Sequence, residues 1–90
     1  MLRFFKDPDA VLDYLFDWSS WLSVGEAISS HTITISGTGL ALDSSSENSG
    51  IVTAWLSGGT LGTVYSVSCE ITTDAGRTDE RTMHIRVQER

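Results

Sequence analysis

The chain lacks most of the features that announce a small protein's chemistry. It has a single cysteine, Cys69, so no intramolecular disulfide can staple it. Six Lys and Arg stand against twelve Asp and Glu, a formal net charge of -6. No basic run interleaves with aromatic residues, so binding to nucleic acid is set aside. No stretch approaches the ~20 apolar residues of a membrane span, so no membrane partner is expected. The opening Met1-Leu2-Arg3-Phe4-Phe5 is interrupted by Lys6, Asp7 and Pro8 before it reaches the length of a secretory apolar segment. These absences describe a chain made and kept soluble in a reducing cytosol, or released from it by lysis.

What is present suits one small globular domain. Ninety residues leave room for one core, and an apolar share of 40% with abundant Ser, Thr and Gly excludes global disorder. Period-two alternation recurs along the chain. In Leu12-Asp13-Tyr14-Leu15-Phe16-Asp17-Trp18, one face carries Leu12, Tyr14, Phe16 and Trp18 and the other Asp13, Leu15 and Asp17. Asp7 as a cap, Pro8 at a first helical position and apolar residues at 11, 12, 15 and 16 would also suit a short amphipathic helix. The strand is preferred because aromatics favour pleated surfaces.

Ile28 to Ser36 reads as the next strand, with Ile33 and Ile35 inward, and Gly37-Thr38-Gly39 as a turn. A short Leu40-Ala41-Leu42 strand is expected to give way to an exposed loop over the polar run Asp43 to Gly50. Along Ile51 to Leu56 either Ile51, Thr53 and Trp55 or Val52, Ala54 and Leu56 could face the core; apolar residues in both sets suggest that both faces are partly covered. Val64 to Thr73 places Tyr65, Val67, Cys69 and Ile71 on one side, and Thr78 to Gln88 places Met83, Ile85 and Val87 on one side. Asp74-Ala75-Gly76-Arg77 joins them as a hairpin.

This closing strand-turn-strand, with Tyr65 in the position of a tyrosine corner, looks like the end of an immunoglobulin-like sandwich. The expected fold is all-β: an immunoglobulin-like antiparallel β-sandwich of about seven short strands, with residues 1–8 as an extended N-terminal arm and 9–90 as the domain.

Candidate chemistry is sparse. His31 and His84 alternate with apolar residues and are expected to face solvent, without recognisable metal spacing. Asp9, Asp13 and Asp17 recur every four residues, but on a strand Asp13 and Asp17 lie outward as a solvated face. No Gly-x-Ser-x-Gly elbow occurs, Gly58-Gly59 is a turn, and Cys69 reads as an inert core thiol. No catalytic residue, metal or cofactor is therefore expected.

The features left over point to protein contacts. Leu2, Phe4 and Phe5 would stay exposed unless they fold back or insert into a neighbour. Trp18 and Trp21 face opposite ways in a strict strand, so Trp21 either lies on a rim or joins the core after a bend. Arg77, Asp79 and Arg81 bring alternating charge to the last strand, suited to guarding a sheet edge or to complementing a partner. The expected partner-binding set is Leu2, Phe4, Phe5 and Trp21 as anchors, with Arg77, Asp79 and Arg81 as rim charges.

Taken together, Lys6 to Tyr14, Asp17-Trp18-Ser19-Ser20-Trp21-Leu22, Ala54-Trp55-Leu56-Ser57-Gly58-Gly59-Thr60, Ile71-Thr72-Thr73 and Gly76 to Arg81 resemble a family of small tailed-bacteriophage virion proteins. These are fibre-tail adaptors or head-tail-region structural proteins with an immunoglobulin-like fold. The resemblance implies a non-enzymatic virion component, made in the bacterial host cytoplasm and homo-oligomeric or symmetry-templated. Its partners would be other fibre, tail or connector proteins. A capsid decoration protein is an alternative, as is a carbohydrate-binding module in which Trp21 or Trp55 stacks on a sugar ring.

Overall fold

The computed structural model describes residues 2–89. Seven strands follow in chain order: β1 Leu2–Lys6, β2 Val11–Asp17, β3 Ile28–Ile35, β4 Leu40–Asn48, β5 Ile51–Gly58, β6 Val64–Thr73 and β7 Thr78–Val87. They form a β-sandwich. A four-stranded sheet has the order β1-β7-β6-β3 and a three-stranded sheet the order β2-β5-β4. All pairings are antiparallel except β1 on β7, which is parallel.

Alternation decides which sides meet. Val52, Ala54 and Leu56 of β5 and Val67, Cys69 and Ile71 of β6 have no exposed surface, nor do Met83, Ile85 and Val87 of β7. With Tyr14, Phe16 and Trp18 these side chains form one apolar layer between the sheets. The two open readings of β5 thus resolve in favour of Val52, Ala54 and Leu56. Ile33 and Ile35 are half-buried and pack against the same layer, and residues 11 to 17 form a strand, not the rival helix.

Three expectations are corrected. Over its described residues the expected arm, 1–8, does not extend into solvent: Leu2 to Lys6 pair residue by residue with Met83 to Val87, so β1 is an edge strand of the larger sheet. Its last side chain, Lys6, is fully buried and donates from Nζ to the carbonyls of Asp7 and Gly58, at 3.0 and 2.7 Å. Burial lowers the Lys6 pKa, against the raising influence of Asp7, Asp43 and Asp9. The chain folds back because pairing with β7 satisfies backbone groups that an unpaired edge would leave to solvent.

The polar run from Asp43 is not a loop. It continues β4 to Asn48, paired to β5 from Ser44 opposite Trp55 to Asn48 opposite Ile51, with a register shift between Leu42 and Ser44. Ser49 and Gly50 close the hairpin with φ of 51° and 86°, the two positive values that a two-residue type I′ turn needs. An edge strand can be specified by its turn and its backbone ladder, so apolar alternation was not required of it.

His31 is half-buried, not solvent-facing; His84, also half-buried, does lie on the outer side of β7, between the inward Met83 and Ile85. His31 lies in register with Ile71, on the core side of β3, and its Nε2 is 3.0 Å from Ser45 Oγ of the opposite sheet.

Tyr65 is buried, and its hydroxyl donates to Thr38 O at 2.6 Å and accepts from Thr60 N at 2.9 Å. It therefore ties the β3–β4 and β5–β6 connections to β6. Tyr65→Phe leaves a carbonyl and an amide without their shared partner. It should cost about 1–3 kcal/mol, seen as a lower urea midpoint at unchanged m-value.

Candidate partner-binding site

After β2 the chain makes one tight turn. The amides of Trp21 and Leu22 donate to Trp18 O at 2.9 and 3.1 Å, and Trp18 N donates to Gly50 O at 2.8 Å. The turn folds Trp21 back onto Trp18, with ring centroids 5.4 Å apart at an interplanar angle of 72°. Edge-to-face packing places the positive edge of one indole on the negative face of the other. Trp18 is fully buried and Trp21 half-buried, so the bend carries both rings toward the core.

Two arginines cover these rings. The Arg77 guanidinium carbon lies 3.9 Å from the Trp21 ring centroid, and that of Arg81 lies 4.2 Å from the Trp18 centroid. Arg81 also donates from Nη1 to Asp17 O at 2.6 Å, a contact from the larger sheet to the smaller.

Glu26 gathers the other contacts of this corner. Its carboxylate accepts a fork from Arg77, with Nε at 2.9 Å from Oε2 and Nη2 on Oε1. Thr73 Oγ1 donates to Oε2 at 2.6 Å and Ser23 N to Oε1 at 2.9 Å. Arg77 Nη2 also donates to Trp21 O at 3.2 Å. The fork matches guanidinium to carboxylate in plane, which makes such pairs strong and directional. The result is a clasp between the 19–27 connector and the β6–β7 hairpin. Two bonds between Asp74 and Ala27 reinforce it: Asp74 N donates to Ala27 O at 3.0 Å, and Ala27 N to the Asp74 side chain at Oδ1, 3.1 Å.

The expected site residues therefore do not converge on one surface. Phe4 is half-buried against the core, edge-to-face with Tyr14 at 5.3 Å. Phe5, 43% exposed, points from the outer side of β1. The Leu2 side chain lies outside the described residues. Trp21, Arg77 and Arg81 come together in the clasp, where they bind to one another's surroundings within the chain. Asp79 is exposed and accepts from Glu80 N at 2.8 Å.

Sequence reasoning missed Glu26 and Lys6. Neither was given a role by local pattern, because the partners Arg77 and Gly58 are 51 and 52 residues away. Cys69 is buried, and burial pushes its thiol pKa up, which keeps it protonated and unreactive.

A family model described as podophage GP4 fiber-tail adaptor protein gp77 matches residues 6–86. The chain belongs to that family. The match runs from the last residue of β1 almost to the end of β7, so it takes in nearly the whole sandwich and the clasp with it. Comparison with curated proteins gives no match. The family is one of phage fibre-tail adaptors, which makes the chain's role a structural one in the virion, in contact with other phage tail and fibre proteins.

The clasp gives this adaptor-family chain an acid-sensitive point. Hydrogen bonds from Arg77, Thr73 and Ser23 hold the Glu26 pKa down at about 2, from an ordinary 4.5. A carboxylate held low in the folded state stabilises the fold fully above its unfolded pKa and loses that effect as pH falls through the folded value. Unfolding free energy should therefore decline from about pH 4.5 to about pH 2. Glu26→Gln, which keeps an acceptor oxygen but not the charge, should be less stable at pH 7 and should show a shallower decline. Denaturant titrations across that range read both effects.

Proposed function

We propose that the chain is a non-enzymatic adaptor of the phage particle, joining fibre to tail or to head-tail connector parts through protein-protein contacts alone. The family match over residues 6–86 carries this reading. The physical construction supports it. A linking part must transmit position, and here both sheets, the connector and the hairpin are tied by side chains whose partners lie far apart in the chain.

The expected contact residues take different parts under this reading. Phe5 and Asp79, both exposed, are contact residues in the adaptor's joints. Trp21, Arg77 and Arg81 hold the shape of the corner beside Asp79. Phe4 supports β1 from beneath. Repeated modest contacts of this kind add through the symmetry of the particle.

Quantitative mass spectrometry of purified particles is the direct test. The expected result is a copy number in fixed ratio to the fibre or connector protein. A copy number that tracks the major capsid protein instead would overturn the adaptor assignment in favour of shell decoration. Removal of residues 1–6 is unsuited to the question, because it deletes β1 and the buried Lys6 and so acts on stability first.

A further inference from the structure

On the three-stranded sheet the rule of apolar inside and polar outside fails on the outer face. Its inner positions on β5 are fully buried, yet its outer positions include Val11, Leu15 and Trp55 at 56%, 51% and 41% exposure, with Ile51 half-buried. The register sets these side by side: Asp13 is opposite Trp55, Leu15 opposite Thr53 and Asp17 opposite Ile51. Trp55 is on the central strand, at the middle of the face. A large aromatic at the centre of an exposed face, with polar neighbours around it, has the make-up of an interface hot spot and its rim.

Charge is segregated in the same way. β2, β4 and β5 carry no Lys, Arg or His; Asp13 and Asp17 stand in the outer row of β2 and Asp43 is exposed at the register shift of β4, while Glu47, opposite the inward Val52, belongs to the inner side. The chain's six basic residues, Arg3, Lys6, Arg77, Arg81, Arg86 and Arg90, all lie elsewhere in the sequence.

We infer that the outer face of β2-β5-β4 docks a partner protein whose matching surface is apolar and rimmed by Lys or Arg. This rests on the adaptor reading and names the face that makes the joint. A second copy is the poorer occupant. Two such faces brought together would oppose carboxylates to carboxylates. A head-to-tail stack through opposite faces of a sandwich would run on as an open filament instead of closing.

The test uses intact particles assembled with p-benzoylphenylalanine at position 15, or at position 32 on the outer side of β3 as control. Alongside these, Leu15→Glu, Trp55→Glu and Asp13→Lys are each supplied in place of the natural chain. All three positions are exposed, so melting temperatures should stay near the wild-type value, and Asp13→Lys alters charge without touching an apolar group. The expected result is at least about a tenfold loss of each variant from particles, equivalent to 1.4 kcal/mol of docking. The position-15 cross-link should map to an apolar segment of another virion protein flanked by Lys or Arg, and the position-32 probe should not reach that segment. Wild-type incorporation of all three variants, a cross-link only to a second copy, or an acidic partner segment would overturn the assignment of this face. Absence of the wild-type chain from purified particles would overturn the adaptor reading itself.

Discussion

Everything in this small domain depends on one apolar layer held between two sheets. There is no disulfide, since the single cysteine is itself a core residue. A chain of this length must therefore draw its cohesion from the alternate side chains of β2 to β7, chiefly Tyr14 and Phe16 of β2, Val52 and Leu56 of β5, and the inward rows of β6 and β7. The layer is thin, so what happens at its perimeter matters as much as what fills it.

The perimeter is closed by polar side chains that reach from one sheet to the other. Lys6 of β1 bonds the carbonyl of Gly58, Arg81 of β7 bonds the carbonyl of Asp17, and His31 of β3 meets Ser45 of β4. Each tie satisfies a polar group that burial would otherwise penalise, and each fixes the position of one sheet against the other. At the Trp18 corner the same logic is extended. Arg77, which covers Trp21, also bonds the connector, and Arg81, which covers Trp18, bonds the end of β2, so ring packing and hydrogen bonding restrain the same corner.

A domain closed in this way still exposes side chains on its outer faces, and their placement is informative. Phe5, Asp79 and the outer row of β2 and β5 project from elements whose own positions are secured by the core. Contact residues on strands keep their spacing, which suits a part that must present fixed surfaces to different neighbours. Family membership and physical construction meet at this point. The adaptor role asks for rigid opposed faces, and a sandwich supplies two.

Strand content was legible where alternation was strong. Val64 to Ile71 and Met83 to Val87 could be assigned to faces residue by residue, because a pleated strand sends successive side chains to opposite sides. Tyr65 could be placed as a corner residue, and the hairpin at Gly76, whose φ is 85°, followed from turn chemistry. Residues 43 to 48 were misread because an edge strand on a polar rim needs no apolar period; its identity lay in the Ser49-Gly50 turn. The role of β1 was likewise hidden, since apolar residues ahead of a proline look alike whether they pair with a distant strand or extend into solvent.

By itself, then, the sequence determined that this is an all-β domain, which side chains of its central strands face inward, and, through its assembled motifs, the family to which it belongs. Only the tertiary structure decided that β1 is part of a sheet, that Glu26 and Arg77 form a clasp, and that Trp55 and not Trp21 lies open on a face. The reason is physical: local periodicity and turn chemistry act over a few residues, whereas these outcomes depend on pairings across some fifty residues that chain closure and core packing select.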